Sequence, residues 1–212
     1  MTMNRPTQLV SELLRPQQLD DLTLPRRVID RLKRMVDTGS IMNMVFYGTP
    51  GLGKTSAARL ITKIIGADVC EVNGSLLTGV DMVRTTVERY ASSVSLLKKP
   101  KVCFIDEADY LSQNAQAALR NVIERTSCNC RYLFAVNNIG KLTPAIQSRL
   151  MSICFDIAPV DRAEVQANLT ERYGLKLSEL GINCDKERLN EIVGIFYPDL
   201  RSIANRIEFE FA

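Results

Sequence analysis

Through residue 158 the chain reads as an α/β protein, a parallel sheet with flanking helices built on a phosphate-binding loop (P-loop); residues 159–212 read as a small all-α domain. Three observations predict this. Short apolar runs alternate with longer segments of helical period, the pattern of parallel strands joined by crossover helices. The stretch Gly48-Thr49-Pro50-Gly51-Leu52-Gly53-Lys54-Thr55 fits G-x-x-x-x-G-K-[ST] at every specified position. After Ala158-Pro159 the strand signals cease and only helical stripes follow.

Taken in order, a helix over about 26–37 stops at Thr38-Gly39, a good C-terminal signal. A strand near 42–47 leads into the P-loop, and a helix over 54–65 leaves it. Strands follow near 68–72, 101–106, 131–136 and 151–155, with helices near 79–93, 114–125 and 144–149 between them. Lys98-Lys99-Pro100 makes a charged surface connector before the third strand. In the all-α part, Asp161-Arg162-Ala163-Glu164 reads as a capping box opening a helix through about Tyr173, before Gly174. Asp185 caps a second, with Leu189, Ile192, Val193 and Phe196 on one face. Pro198-Asp199 starts the last, whose stripe is Leu200, Ile203, Ala204, Ile207 and Phe211. These stripes are core.

Composition narrows the chemistry. Among 212 residues, 46% hydrophobic and 24% charged, no apolar run approaches the ~20 residues that span a membrane. The opening Met1-Thr2-Met3-Asn4-Arg5-Pro6 leads into no signal-peptide core, so a cytoplasmic protein with no membrane partner is expected. The six Cys, at 70, 103, 128, 130, 154 and 184, form no C-x-x-C pair and are expected as free thiols, four of them in apolar or strand-like surroundings. Zero His removes His-based acid–base catalysis and His-ligated metals. A net charge of +3 permits a local nucleic-acid patch without demanding one.

The P-loop residues Gly48, Thr49, Pro50, Gly51, Leu52, Gly53, Lys54 and Thr55, with Ser56 in the first helical turn, are the candidate nucleotide contacts. A helix N-terminus there aims free N–H groups at a phosphate. Lys54 would reach the terminal phosphates and Thr55 would hold Mg²⁺. The second element is Val102-Cys103-Phe104-Ile105-Asp106-Glu107-Ala108-Asp109: a strand delivering Asp106 beside the P-loop as a metal ligand through water. Adjacent Glu107 is placed to polarise an attacking water, which points to hydrolysis rather than transfer. Asp109 reads as solvated or structural rather than catalytic. Asn137, ending the fourth strand, either holds the water or γ-phosphate or simply forms a turn. Arg149, ending a short helix where it cannot easily pair locally, is either an arginine finger for a neighbouring subunit or a surface residue.

Together these segments resemble the AAA+ ATPase subunits of sliding-clamp loaders, from about Glu12 to the C-terminus. Glu12-Leu13-Leu14-Arg15-Pro16 is similar to the family's E-K-Y-R-P box, although both central residues are Leu. The resemblance implies adenine contacts at Arg15 and Pro16. Asp106-Glu107-Ala108-Asp109, then Gln116-Ala117-Ala118-Leu119-Arg120, Asn137 and Gln147-Ser148-Arg149 match loader segments in order. Pro198-Asp199-Leu200-Arg201 is similar to the G-D-x-R box, so Arg201 is implied as a second γ-phosphate sensor. Within the replication factor C / bacteriophage large-subunit type, Val72-Asn73-Gly74-Ser75 followed by Val80-Asp81-Met82-Val83-Arg84, and the proline before Asp199, make the resemblance to bacteriophage-type loaders closest. By the same resemblance Arg84 and Arg120 would track the DNA backbone without reading sequence.

The function thus expected is ATP-dependent loading of a sliding clamp on primer–template DNA, with ATP and Mg²⁺ bound and other subunits completing a pentameric ring. Glu107, Lys54, Arg149 and Asn137 would form the catalytic set. The four-Cys zinc module of bacterial loaders is absent from the sequence, and the chain ends before the helical collar by which loader subunits assemble. It is therefore either a fragment or a subunit that assembles through another surface. The rival readings are another AAA+ machine such as a helicase loader or branch-migration motor, and a non-hydrolysing structural subunit. Loss of Lys54 or Glu107 would mark the latter, and both are present. A small-molecule kinase would leave the Asp106-Glu107 pair without a role.

Overall fold

A computed structural model describes residues 9–39, 41–77, 79–95 and 99–211. The N-terminal residues 1–6, Lys98 of the charged connector and Ala212 lie outside the described residues. Five strands, β1 Met44–Tyr47, β2 Asp68–Asn73, β3 Lys101–Asp106, β4 Cys130–Val136 and β5 Met151–Cys154, form one parallel sheet in the order β2-β3-β4-β1-β5. The register pairs Tyr47 with both Val136 and Cys154, so the P-loop leaves the sheet between the ends of β4 and β5.

Alternation along the strands builds two cores. Cys103 and Ile105 of β3 and Tyr132, Phe134 and Val136 of β4 face one side with Val45. Val102, Phe104, Leu133, Ala135, Met44 and Phe46 face the other. A strand buried on both faces reads as a continuous apolar run, and for that reason β3 and β4 were legible. Helices α1 (Val10–Leu13), α2 (Arg26–Asp37), α3 (Lys54–Ile64), α4 (80–92), α5 (Gln113–Arg125) and α6 (Pro144–Gln147) belong to this part of the chain. Helix α4 is wound as a π-helix over Val83–Glu88. Leu32 of α2 and Ala58 of α3 pack with one core; Val87 of α4 and Leu119 of α5 pack with the other.

Three helices follow: α7 (Pro159–Glu179), α8 (Lys186–Phe196) and α9 (Leu200–Phe211). They share a third core in which Leu169, Leu177, Val193 and Ile207 are buried. Val10 and Leu14 join it, and the Ser11 N–H donates to Glu208 Oε2 at 3.1 Å, so the described chain begins against the helical unit.

Two expectations need correcting. Helix α7 opens on Pro159 behind Ala158, and Asp161 does not cap it, because that carboxylate takes the Arg27 guanidinium at 2.7 Å. The helix also continues past Gly174, since the buried stripe Val165, Leu169, Tyr173, Leu177 outweighs the ~1 kcal/mol a helical glycine costs. Asp185 caps α8 as expected, accepting from Glu187 N–H at 3.2 Å. All six thiols are free, with Cys103 and Cys130 buried and Cys128 and Cys154 exposed.

Candidate nucleotide site

The sheet order decides where the chemistry gathers. With β4 between β1 and β3, the loops leaving these three strands open at one edge, the place where open parallel sheets bind ligands. A cleft of about 550 Å³ lies there, walled by the P-loop, the ends of β3 and β4, residues 14–16 and 21–23, and helices α7 and α9.

Gly51 and Gly53 hold φ of 86° and 83°, which an L side chain rarely adopts, and Gly53 turns the chain into α3. The first N–H groups of α3 thereby lack intrahelical partners and face the cleft end of the sheet. Thr55 Oγ1 donates to Asp106, 3.1 and 2.9 Å from its two carboxylate oxygens. A hydroxyl bound to a carboxylate at the end of β3 is the donor set that fits a hard divalent cation such as Mg²⁺.

Lys54 is buried, and its ammonium donates to the carbonyls of Gly48 at 2.7 Å and Thr49 at 2.9 Å. Burial pulls its pKa below the ordinary lysine value, while Asp156, Asp109 and Asp106 work in the opposite direction. A cation kept in a half-dry site with carbonyl partners only is available to an anionic ligand.

Glu107 follows Asp106 with φ of 51°, the one non-glycine positive φ among the described residues. Such a conformation costs on the order of 1 kcal/mol and persists where the surroundings over-determine it. Its carboxylate is exposed and accepts from Asn73 Nδ2 at 3.2 Å, across the β2–β3 pair. Asn137 projects from the end of β4 into the same cleft, exposed.

Of the expected contacts, Arg15, Pro16, Pro50 through Ser56, Asp106, Glu107, Asn137 and Arg201 line the cleft; Gly48 and Thr49 stand behind it. Asp199 caps α9, accepting from Arg201 N–H at 3.0 Å and Ser202 N–H at 3.2 Å, and this aims the Arg201 turn at the P-loop. Leu200 N–H donates to Gly51 O at 3.2 Å.

Asp109 is not solvated: its side chain is 3% exposed, Oδ1 has no partner, and Lys141 Nζ stands 3.8 Å from Oδ2. The short turn Ala108–Tyr110 folds it inward. Arg149 has an acidic partner all the same, Glu124 of α5, 25 residues away in sequence, because the end of α6 comes down beside α5. It lies outside the cleft, as do Arg84 on α4 and Arg120 on α5, both exposed, with Arg120 donating to Asn121 Oδ1 at 3.0 Å.

Sequence reasoning missed Asp21, Leu22, Thr23, Arg172, Tyr173 and Asn205, which also line the cleft. No local motif marks them. Tyr173 figures in the sequence reading only as the end of a helix, and it and the neighbouring Arg172 reach the cleft from α7.

Residues 44–156 match the AAA family, described as the ATPase family associated with various cellular activities. Over 204 residues the chain is 33% identical to the replication factor C small subunit of Methanococcus vannielii, covering 93% of this chain and 62% of that protein. It is 35% identical to replication factor C subunit 3 of Saccharomyces cerevisiae, covering 93% and 58%. The chain thus spans about three-fifths of the length of these curated relatives. Among solved structures, the Thermotoga maritima RuvB Holliday junction branch migration motor superposes with a TM-score of 0.73 at 20% identity, covering 93% of this chain and 64% of that one. That likeness carries the fold.

Proposed function

The chain belongs to the AAA family of ATPases, and from that premise we propose that it is the ATP-binding and ATP-hydrolysing part of a sliding-clamp loader subunit acting in DNA replication. The observation that carries the nucleotide reading is the Thr55–Asp106 contact beside a buried, carbonyl-held Lys54, with Glu107 and Asn137 on the same cleft. The loader reading draws support from similarity to replication factor C small subunits and from the order of the sequence segments. Val72-Asn73-Gly74-Ser75 favours the bacteriophage-type branch, in which the place of action is the host cytoplasm.

Lys54 would turn from its two loop carbonyls toward the phosphates, and Arg201 would approach from α9 of the helical unit. Thr55 and Asp106 would hold Mg²⁺, which supplies positive charge against the phosphate oxygens. Glu107 would accept a proton from the attacking water, and Asn137 would position that water or the γ-phosphate. Arg15 and Pro16 would border the base. Arg149 would leave Glu124 to serve the site of the next subunit, and Arg84 and Arg120 would meet phosphates of primer–template DNA.

Native mass spectrometry of the protein isolated from its own cells with an ATP analogue tests this. A five-membered ring carrying a clamp is the expected result. A hexamer, or a monomer without replication partners, would remove the clamp and DNA parts of the proposal.

A further inference from the structure

Behind the P-loop, on the side away from the cleft, stands a carboxylate with no assigned role. Asp156 follows β5, the strand hydrogen-bonded to β1 on the side opposite β4. Its Oδ1 accepts from the Thr49 backbone N–H at 2.8 Å and from Thr49 Oγ1 at 2.7 Å. The approach is tight: a Cβ on Gly48, whose φ is 139°, would stand 3.0 Å from both Asp156 N and Asp156 Oδ1. Gly48 and Thr49 are also the residues whose carbonyls hold the Lys54 ammonium. One short turn is therefore gripped from outside by Asp156 and from inside by Lys54.

The two grips differ in what happens when an anion arrives. Lys54 must release the carbonyls of Gly48 and Thr49 to reach a phosphate, and the turn then loses its inner support. Asp156 does not line the cleft, so a phosphate does not compete for it. It also commits the Thr49 N–H outward, which leaves the following N–H groups at the start of α3 to face the ligand. Its negative charge is the foremost of those opposing the burial of Lys54.

We infer that Asp156 is a positioning residue for nucleotide binding, holding the Gly48-Thr49 turn in its binding shape after Lys54 has let go. The inference rests on the proposed nucleotide reading of the cleft. It requires that loss of Asp156 weaken nucleotide affinity while the turnover of bound nucleotide is kept, since nothing in the hydrolytic set touches it. Preorganisation of this kind raises affinity by lowering the ordering cost of the site.

The test uses the whole chain and a fluorescent ATP analogue with Mg²⁺, read as a dissociation constant and as the nucleotide-induced rise in thermal midpoint. Asp156→Ala is expected to weaken binding about tenfold, a typical loss for one charge-assisted anchor. Asp156→Asn, whose amide oxygen still accepts from Thr49, should return to within about threefold of the parent. In hydrolysis assays KM rises in the Ala variant and kcat holds within about twofold. Parental affinity in a folded Asp156→Ala protein overturns the inference, as does an Asn variant no better than Ala. Should Asp156→Ala fail to fold, Thr49→Val removes only the Oγ1 bond and is expected to weaken binding about threefold; unchanged affinity there overturns the inference equally. If the parent itself binds no nucleotide, it is the nucleotide reading that fails.

Discussion

Gln116 offers the sharpest test of how the site is held together. It lies on α5, 2% exposed, and its Nε2 donates to Leu111 O at 3.2 Å and Lys141 O at 3.0 Å, while its Oε1 accepts from Thr143 N–H at 2.7 Å. Leu111 follows the acidic turn after β3, and Lys141 and Thr143 follow Asn137. One amide thus staples the segment behind Asp106 and Glu107 to the segment behind Asn137. Gln116→Ala leaves one backbone N–H and two carbonyls without that partner, each worth about 1 kcal/mol net. The sum is a loss of about 3 kcal/mol. For a protein of this size, 1 kcal/mol moves the thermal midpoint roughly 2–4 °C, so a fall of about 6–12 °C is expected. Circular dichroism melts without nucleotide read it, and urea titration checks that the midpoint moves without a change of slope. Gln116→Glu should be at least as damaging, because it presents an acceptor to two carbonyls. A shift under about 2 °C in Gln116→Ala would refute the staple, showing that the two segments hold their places without it.

Four other predictions follow. Glu107→Gln keeps the side-chain volume and removes the base; ATP binding should persist within about threefold while steady-state hydrolysis falls by at least about a hundredfold, and turnover at the parental rate would reject Glu107 as the base. Lys54→Met should abolish the nucleotide-induced rise in thermal midpoint without lowering the midpoint of the nucleotide-free protein. The sign comes from burial: the folded-state pKa lies below 10.5, so the penalty on the charged form is fully present below that depressed value and gone above 10.5. By the same shift, nucleotide affinity of the parent should fall as pH rises through the depressed value, before an ordinary lysine would lose its charge; affinity constant up to pH 10.5 would contradict it. Tyr132→Phe removes a buried hydroxyl 2.6 Å from Thr126 Oγ1 and should cost about 1 kcal/mol, with a melt unchanged within error counting against that hydrogen bond.

What was legible in the sequence was what local chemistry fixes. The apolar runs of β3 and β4, the P-loop pattern and the cap at Asp185 each declare themselves within a few residues. The missed features need the fold. Asp109 reads from sequence as either solvated or structural, and only the inward fold of its turn, which leaves the side chain 3% exposed, decides against solvent. Arg149 has no acid at helical spacing, and its partner Glu124 comes from a different helix. Asp161 has the spacing of a cap, yet Arg27, 134 residues away in sequence, takes its carboxylate. Asp156 and Arg172 carry no motif at all; strand order brings the first to the back of the P-loop, and α7 brings the second to the cleft.

Titration of Mg²⁺–ATP into the chain and into its Lys54→Ala variant, followed calorimetrically, tests the central claim most directly. Saturable one-to-one binding by the parent, weakened at least about tenfold in the variant, is the predicted result. Absence of saturable binding in the parent, or equal affinity in the two proteins, would contradict the assignment of the cleft as a nucleotide site.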